Sequence, residues 1–342
     1  MFRFGYGALA VLTLTAQTNV SLDTELARTS AAYYTAVPDV VRITGRDTVL
    51  DYYQRLLDDR ERLTEAAPPG YSEELWARSV SRIATLDLAV ANALMHKSFT
   101  DMASIRGLGE AFVRSSRDGT MQPVAVYVPP TYTVGRALPL VVFLHGRPQT
   151  EAELLAPEFL ENLARDDNDT IVVAPYGRGH YDFLGSETDV YDALAAAEHA
   201  FAIDDRRRYL VGYSMGGFSV FSVAPIHPDS WAAVMCIAGS LLGSRAQRIV
   251  AMMPRTRFYV LTGSADDSIP TQYPTATAIF LRETGIPVTF YSQAGGTHRL
   301  ITLLPVLTQA WSDMLHGVVR SPTELDGSVT LPSMAPVTAL KP

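Results

Sequence analysis

Cysteine is almost missing from this chain. Cys236 stands alone among 342 residues, which excludes an intrachain disulfide and a multi-cysteine metal site. It lies inside the apolar run WAAVMCIAG, where a lone cysteine serves as a small buried hydrophobe. Lysine is nearly absent too. Lys97 and Lys341 are the only two, and arginine carries the other basic charge, a pattern we attribute to codon usage rather than chemistry. The chain also lacks basic excess. A formal charge of −8 and a pI near 5.4 speak against a nucleic-acid partner. After the first twenty residues, no stretch has the unbroken apolar length of a membrane-spanning helix. What is present is a globular composition, 47% hydrophobic and 19% charged, enough for one large domain with or without a smaller one.

The first twenty residues form a segment of their own. Arg3 precedes an apolar stretch from Phe4 to Leu14, with small and polar residues through Ala16, the outline of a secretory signal. Leu14 is bulky where a small residue is preferred before cleavage after Ala16. The segment is therefore read two ways: as a signal that makes the protein secreted or periplasmic, or as an apolar first element of a cytoplasmic fold. Residues 21–106 predict a helical region of about three helices. In 48–63, Leu50, Tyr53, Leu57 and Leu63 fall at helical spacing, with charge on the other face. Pro68, Pro69 and Gly70 end that segment, and Ser72 with Glu73 and Glu74 begins the next, where Leu75, Val80, Ile83, Leu86 and Val90 keep the rhythm.

From residue 107 the texture changes. Residues 109–130 read as two strands joined through Asp118–Gly119. Apolar runs at 139–146, 170–177, 208–214, 232–239, 257–263 and 287–293 then alternate with helical stretches at Thr150–Ala164, Thr188–Ala202, Gly217–Ala224 and Pro274–Thr284, before a last helix at Leu300–His316. Unalternating apolar strands separated by helices predict an α/β fold with a mostly parallel sheet covered on both faces, spanning 107–317. Residues 318–342, rich in Pro, Ser and Thr, predict a loose tail.

One turn in this region carries chemistry. In YLVGYSMGGFSVF, Gly212 and Gly216 flank Ser214 as G-x-S-x-G, between a strand and a helix. A glycine-flanked serine is also what an ordinary turn can contain. The strand-to-helix context favours a sharp elbow that pushes the hydroxyl beyond the sheet edge. Serine needs a base to become a nucleophile. Of seven histidines, His298 follows the last strand on a loop made pliant by Gly295 and Gly296. His316 ends the last helix, and His145 lies at a strand end where it orders the loop. A carboxylate must hold the base in its tautomer, and YVLTGSADDSIP supplies Asp266 or Asp267 after a strand. The order Ser214, Asp266, His298 is the nucleophile–acid–base order of α/β-hydrolases. The oxyanion needs two backbone donors. Met215 gives one, and LHGRPQ gives the other, from Arg147 or, next, Gly146, since Pro148 has no N–H.

The run from 120 to about 316 resembles the esterase branch of the α/β-hydrolases that includes feruloyl and acetyl-xylan esterases and polyhydroxybutyrate-depolymerase-like enzymes. The pieces that carry the resemblance are PVAVYVPP, LPLVVFLHG, VVAPYG, TDVYDAL, IDDRRRYLVGYSMGGFSVF, HPDSWAAVMCIAG, TGSADDSIP and GGTHRL, with Asp204 and Arg207 standing at the family's D-x-x-R. The resemblance implies Ser214 as nucleophile, Asp266 as acid and His298 as base, with Met215 and the residue after HG as oxyanion donors. The expected activity is hydrolysis of small or polymer-linked carboxylic esters with no metal or organic cofactor. HGRP lacks the further glycines that many members carry after HG, and region 21–106 matches no part of the family.

An acyltransferase would use the same three side chains. A prolyl-oligopeptidase-like peptidase shares the motifs but usually brings an N-terminal β-domain, and a binding module on an inactive fold would not need the Ser/Asp/His set. The short stretch Gly239–Arg255 leaves no room for a large inserted lid, so an open cleft is expected. The helical region is read either as a lid or substrate platform or as a homodimer face.

Overall fold

The structure, a computed structural model, describes residues 7–166, 169–179, 183, 185–320 and 331–332, with residues 7–20 as backbone only. Three helices come first: α1 (Gly7–Thr44), α2 (Arg46–Arg62) and α3 (Glu73–His96). The backbone of 7–20 runs without a break into the rest of α1, while residues 1–6 lie outside the described residues. Ser72 caps α3, its side chain accepting from the Leu75 N–H at 3.2 Å. Leu26, Tyr33 and Val40 of α1, Val49, Tyr52 and Leu56 of α2, and Leu88, Ala91 and Leu94 of α3 share one core.

The buried face of α2 differs from the one its apolar rhythm predicts. Leu50 is 48% exposed and Tyr53 and Leu57 are only partly covered, whereas Val49, Tyr52, Arg55, Leu56 and Asp59 are buried. The rhythm puts charge on the outer face, yet Arg55 and Asp59 point inward because each finds a partner there. Arg55 reaches Asp87 at 2.6 Å and Glu151 at 2.9 Å, and Arg62 reaches Asp59 at 2.9 Å. The buried Arg55 guanidinium is tolerated because it is paired in this way.

The rest of the chain is built on a sheet of eight strands among the described residues: β1 (Gly107–Arg114), β2 (Met121–Val128), β3 (Leu138–Leu144), β4 (Ile171–Pro175), β5 (Ile203–Tyr213), β6 (Ala233–Ile237), β7 (Arg257–Gly263) and β8 (Val288–Gln293). Their spatial order is β1-β2-β4-β3-β5-β6-β7-β8. β1 and β2 form the expected antiparallel hairpin, with Gly119 at φ +76° in its turn. β2 also runs antiparallel to β4, and the remaining pairs are parallel.

Successive residues of the parallel strands feed two cores. Leu140, Val142 and Leu144 of β3 enter one, and Val141 and Phe143 enter the other. On the first side the sheet is covered by α6 (Glu187–Ala200), α7 (Met215–Val223), α8 (Gly243–Met252) and α9 (Gln272–Glu283). On the second it is covered by α4 (Glu151–Leu155), α5 (Glu158–Asp166) and α10 (Leu304–His316). The helix expected over Thr150–Ala164 is two, interrupted at Pro157, which has no N–H to continue the helical ladder. The stretch Gly239–Arg255 contains α8. Cys236 is fully buried in β6, and burial pushes its thiol far up. The expected tail lies largely outside the described residues. Of it, Arg320 reaches Asp313 at 2.7 Å and the Pro332 carbonyl accepts from the Gly243 N–H at 2.9 Å.

The helical region docks on the β1–β2 hairpin and on α4 and α5. Thr44 Oγ1 donates to the Met121 carbonyl at 2.6 Å, and Gln122 Nε2 returns a bond to the Thr44 carbonyl at 3.2 Å. Arg62 pairs with Glu153, Arg78 with Glu158 and Arg82 with Glu161.

Burial pushes the Asp59 carboxyl up to about 9, with the charge of Asp87 adding and the guanidinia of Arg62 and Arg55 opposing. The folded protein therefore keeps a proton on Asp59 that the unfolded chain has lost above about pH 4, and this contribution to stability disappears as pH rises toward 9. In Asp59→Asn the proton is no longer needed. The Tm difference between variant and wild type, followed by circular dichroism, is expected to move in the variant's favour by about 5 °C or more from pH 5 to 9. A difference independent of pH would contradict the assignment.

Candidate active site

β5 ends at Tyr213 and α7 begins at Met215, leaving Ser214 as the hinge between them at φ +53°, ψ −114°. A serine rarely takes positive φ, and the surroundings enforce it. A Cβ on Gly212 would stand 2.1 Å from the Gly216 carbonyl oxygen, and one on Gly216 would stand 2.2 Å from the Leu144 carbonyl oxygen. Only glycine lets the two arms of the elbow and the end of β3 approach so closely. The Ser214 N–H donates to the Ile237 carbonyl at 2.8 Å, and the Gly216 N–H donates to the His145 carbonyl at 3.1 Å, so strands on both sides hold the turn.

The structure brings Ser214, His298 and Asp266 together. His298 Nε2 lies 2.8 Å from Ser214 Oγ, and Nδ1 lies 2.8 Å from Asp266 Oδ2. With the Nδ1 proton donated to the carboxylate, Nε2 presents a lone pair to the serine hydroxyl. Asp266 Oδ1 accepts from the backbone N–H groups of Ser268 at 3.0 Å and Ile269 at 2.8 Å, which fixes the carboxylate in its turn. The Asp266 side chain is fully buried, the His298 side chain 18% exposed and Ser214 1% exposed. Asp267, the other carboxylate of that turn, is exposed and bonded by the Ser268 hydroxyl at 3.3 Å. The loops carrying acid and base are tied to each other, with Ala265 N–H donating to the Gly296 carbonyl at 2.8 Å and Gly295 N–H to Ser264 Oγ at 2.8 Å.

The expected oxyanion donors flank this hydroxyl. Met215 is the first residue of α7, where the N–H has no intrahelical acceptor. At Gly146 an added Cβ would stand 3.1 Å from the Ser214 Cβ and 2.9 Å from the Tyr213 ring, so the segment that continues into Arg147 passes directly beside the nucleophile. His145 is buried with Nε2 3.0 Å from the Tyr176 carbonyl and Nδ1 2.8 Å from the Gly146 carbonyl, contacts that order the loop. His316 ends α10, with Nδ1 2.8 Å from the Ser312 carbonyl.

Two contributors escape sequence reasoning. The Tyr213 hydroxyl donates to the His298 carbonyl, and the Tyr213 ring lies 5.4 Å from the imidazole, centre to centre. Tyr213 occupies a variable position of the G-x-S-x-G pattern, so only its place beside the nucleophile hinted at a role. The second is the turn between α2 and α3. A Cβ on Gly70 would stand 2.8 Å from the Ile301 side chain, so this turn rests on the 3-10 turn that follows His298. Nothing in PPGY announces that contact.

Residues 115–284 match a family model described as "Putative esterase", just under half of the chain. No curated protein matches the sequence. Among solved structures, the fluorophosphonate-binding serine hydrolase F of Staphylococcus aureus is similar at 15% identity with a TM-score of 0.51, over 61% of this chain and 98% of that one. A ferulic acid esterase is similar at 15% identity and a TM-score of 0.50, over 61% of this chain and 97% of that one. A thermostable esterase is matched at 21% identity and a TM-score of 0.48, over 62% of this chain and 63% of that one, so the match spans less than two thirds of that relative. At these identities the likeness is one of fold.

The two carboxylates of the acid turn can be told apart. Asp266→Asn is expected to lower kcat by about 10⁴-fold by placing the proton on the wrong imidazole nitrogen. Asp267→Asn should stay within about twofold, as is usual for an exposed side chain. Comparable losses in steady-state hydrolysis of a chromogenic ester would reject the assignment.

Proposed function

We propose that this protein, whose residues 115–284 match a putative-esterase family model, is a serine hydrolase that cleaves carboxylic esters through an acyl-enzyme on Ser214, with His298 as base and Asp266 as its orienting acid. The observation that carries the reading is the imidazole held 2.8 Å from both Ser214 Oγ and Asp266 Oδ2, against a nucleophile at positive φ. Ser214 Oγ attacks the ester carbonyl while Nε2 takes its proton. The oxygen that gains charge is received by the N–H of Met215 and by that of Arg147 or Gly146. The tetrahedral adduct then collapses, and His298 returns the proton to the departing alcohol. Water enters, loses a proton to the same nitrogen and releases the carboxylic acid. Each donor to the developing oxyanion is worth about a hundredfold to a thousandfold in turnover.

Substrates in this reading are small or polymer-linked esters. A panel of chromogenic esters of graded acyl length, with feruloyl and acetylated sugar esters added, ranks them. Transfer to an alcohol in place of water would use the same acyl-enzyme. Added methanol that diverts acyl groups into methyl ester at millimolar concentration would mark a transferase. Insensitivity to methanol marks a hydrolase.

The central test is covalent. Wild type is expected to be labelled by a fluorophosphonate probe and to release the first equivalent of alcohol in a burst, because an activated serine is required for both. Ser214→Ala should do neither. Labelling of that variant at the wild-type rate would remove Ser214 from the mechanism.

A further inference from the structure

The four residues after Gly146 lead straight to Glu151, the first residue of α4, whose side chain is fully buried. A cation of α2 pairs with that carboxylate. Arg55 Nη2 lies 2.9 Å from Glu151 Oε1 and Nη1 lies 3.3 Å from Oε2, a bidentate pair, and the Tyr52 hydroxyl donates to the same carboxylate. Asp87 of α3 takes the other side of the guanidinium, at 2.6 and 3.2 Å. Glu110 of β1 is also buried here, with both oxygens unpartnered, and burial together with the charge of Glu151 pushes its carboxyl well above the usual carboxylate range.

The near end of the same loop leads back to Arg55 by a second route. The His145 carbonyl accepts from Gly216 of the nucleophile elbow, and His145 Nε2 lies 3.0 Å from the Tyr176 carbonyl. The Tyr176 ring packs 5.7 Å from that of Tyr52, whose face is covered by the Arg55 guanidinium at 4.0 Å. One buried cation on the helical region thus touches what fixes both ends of the segment 145–151.

We infer that Arg55 is a positioning residue for the oxyanion loop: paired with Glu151 and stacked on Tyr52, it sets where the backbone between Gly146 and Glu151 lies relative to Ser214. The inference rests on the assignment of that loop as an oxyanion donor. It gives the helical region a part in turnover that is neither a lid nor a dimer face. Arg55 touches no reacting atom, so its removal acts on the transition state through loop geometry.

The test uses the full chain. Arg55→Met keeps the stem and drops the charge. Arg55→Lys keeps the charge and loses the fork. Arg82→Met cuts the tie to Glu161 on α5 without touching the loop. For each, Tm, kcat, KM and the rate ratio of an oxo-ester to its thiono-ester counterpart are measured well below the unfolding transition. That ratio reads hydrogen bonding to the developing oxyanion, which a merely structural role does not change. Arg55→Met is expected to lose about tenfold or more in kcat, with KM within about threefold, and to narrow the oxo/thiono ratio. Arg55→Lys should recover part of it, and Arg82→Met should keep wild-type kcat and ratio. A folded Arg55→Met with wild-type kcat and ratio, or equal losses in Arg82→Met, would overturn the inference. If Arg55→Met does not fold, Glu151→Gln decides in the same way, because it retains the shape and the acceptor for Tyr52 but not the charge. Ser214→Ala runs alongside: hydrolysis surviving in that variant would strike the active-site reading itself, a result distinct from any outcome at Arg55.

Discussion

Backbone packed against backbone at the elbow is the constraint on which the site depends. Gly212 and Gly216 lie so close to one another and to the end of β3 that no side chain fits between them. Ser214 is left with a conformation that costs about 1–3 kcal/mol in isolation. The cost is offset by strands on both sides: β6 holds the Ser214 N–H through Ile237, and the residue after β3 holds the Gly216 N–H. The hydroxyl therefore stands at a fixed point before the histidine approaches it. Since the loops after β7 and β8 are bonded to each other, acid and base arrive as a unit.

Much of this could be read from the chain because the signals are local. A parallel strand buried on both faces writes itself as an unalternating apolar run, and 139–146 became β3 with its residues divided between two cores. The nucleophile turn is spelled by its glycines, and the hairpin by Asp118–Gly119. What could not be read depends on partners far away in sequence. Arg55 and Asp59 look like surface residues of an amphipathic helix until Asp87, Glu151 and Arg62 are brought beside them. The choice between Asp266 and Asp267 is of the same kind. Two adjacent aspartates carry the same information, and only the bonds from Ser268 and Ile269 aim one of them inward.

The buried ionic cluster is an expensive way to join two parts of a protein. Removing one member of such a set leaves its partners charged in a dry interior, at about 3–5 kcal/mol, while apolar residues of equal volume often join surfaces at least as well. Its merit is direction. An apolar contact tolerates sliding, whereas a guanidinium fork accepts a carboxylate in one plane and from one side. At the root of a loop that must present backbone N–H groups to an oxygen, that directionality matters more than the free energy of docking.

The seam between the three helices and the catalytic part has one further consequence. Its charges are complementary pair by pair, with arginines 62, 78 and 82 on one side meeting glutamates 153, 158 and 161 on the other. Exchanging one side alone for a sequence without these charges breaks all three pairs at once. In chimaeras, a crossover point that takes both sides of the seam from one parent preserves all three pairs.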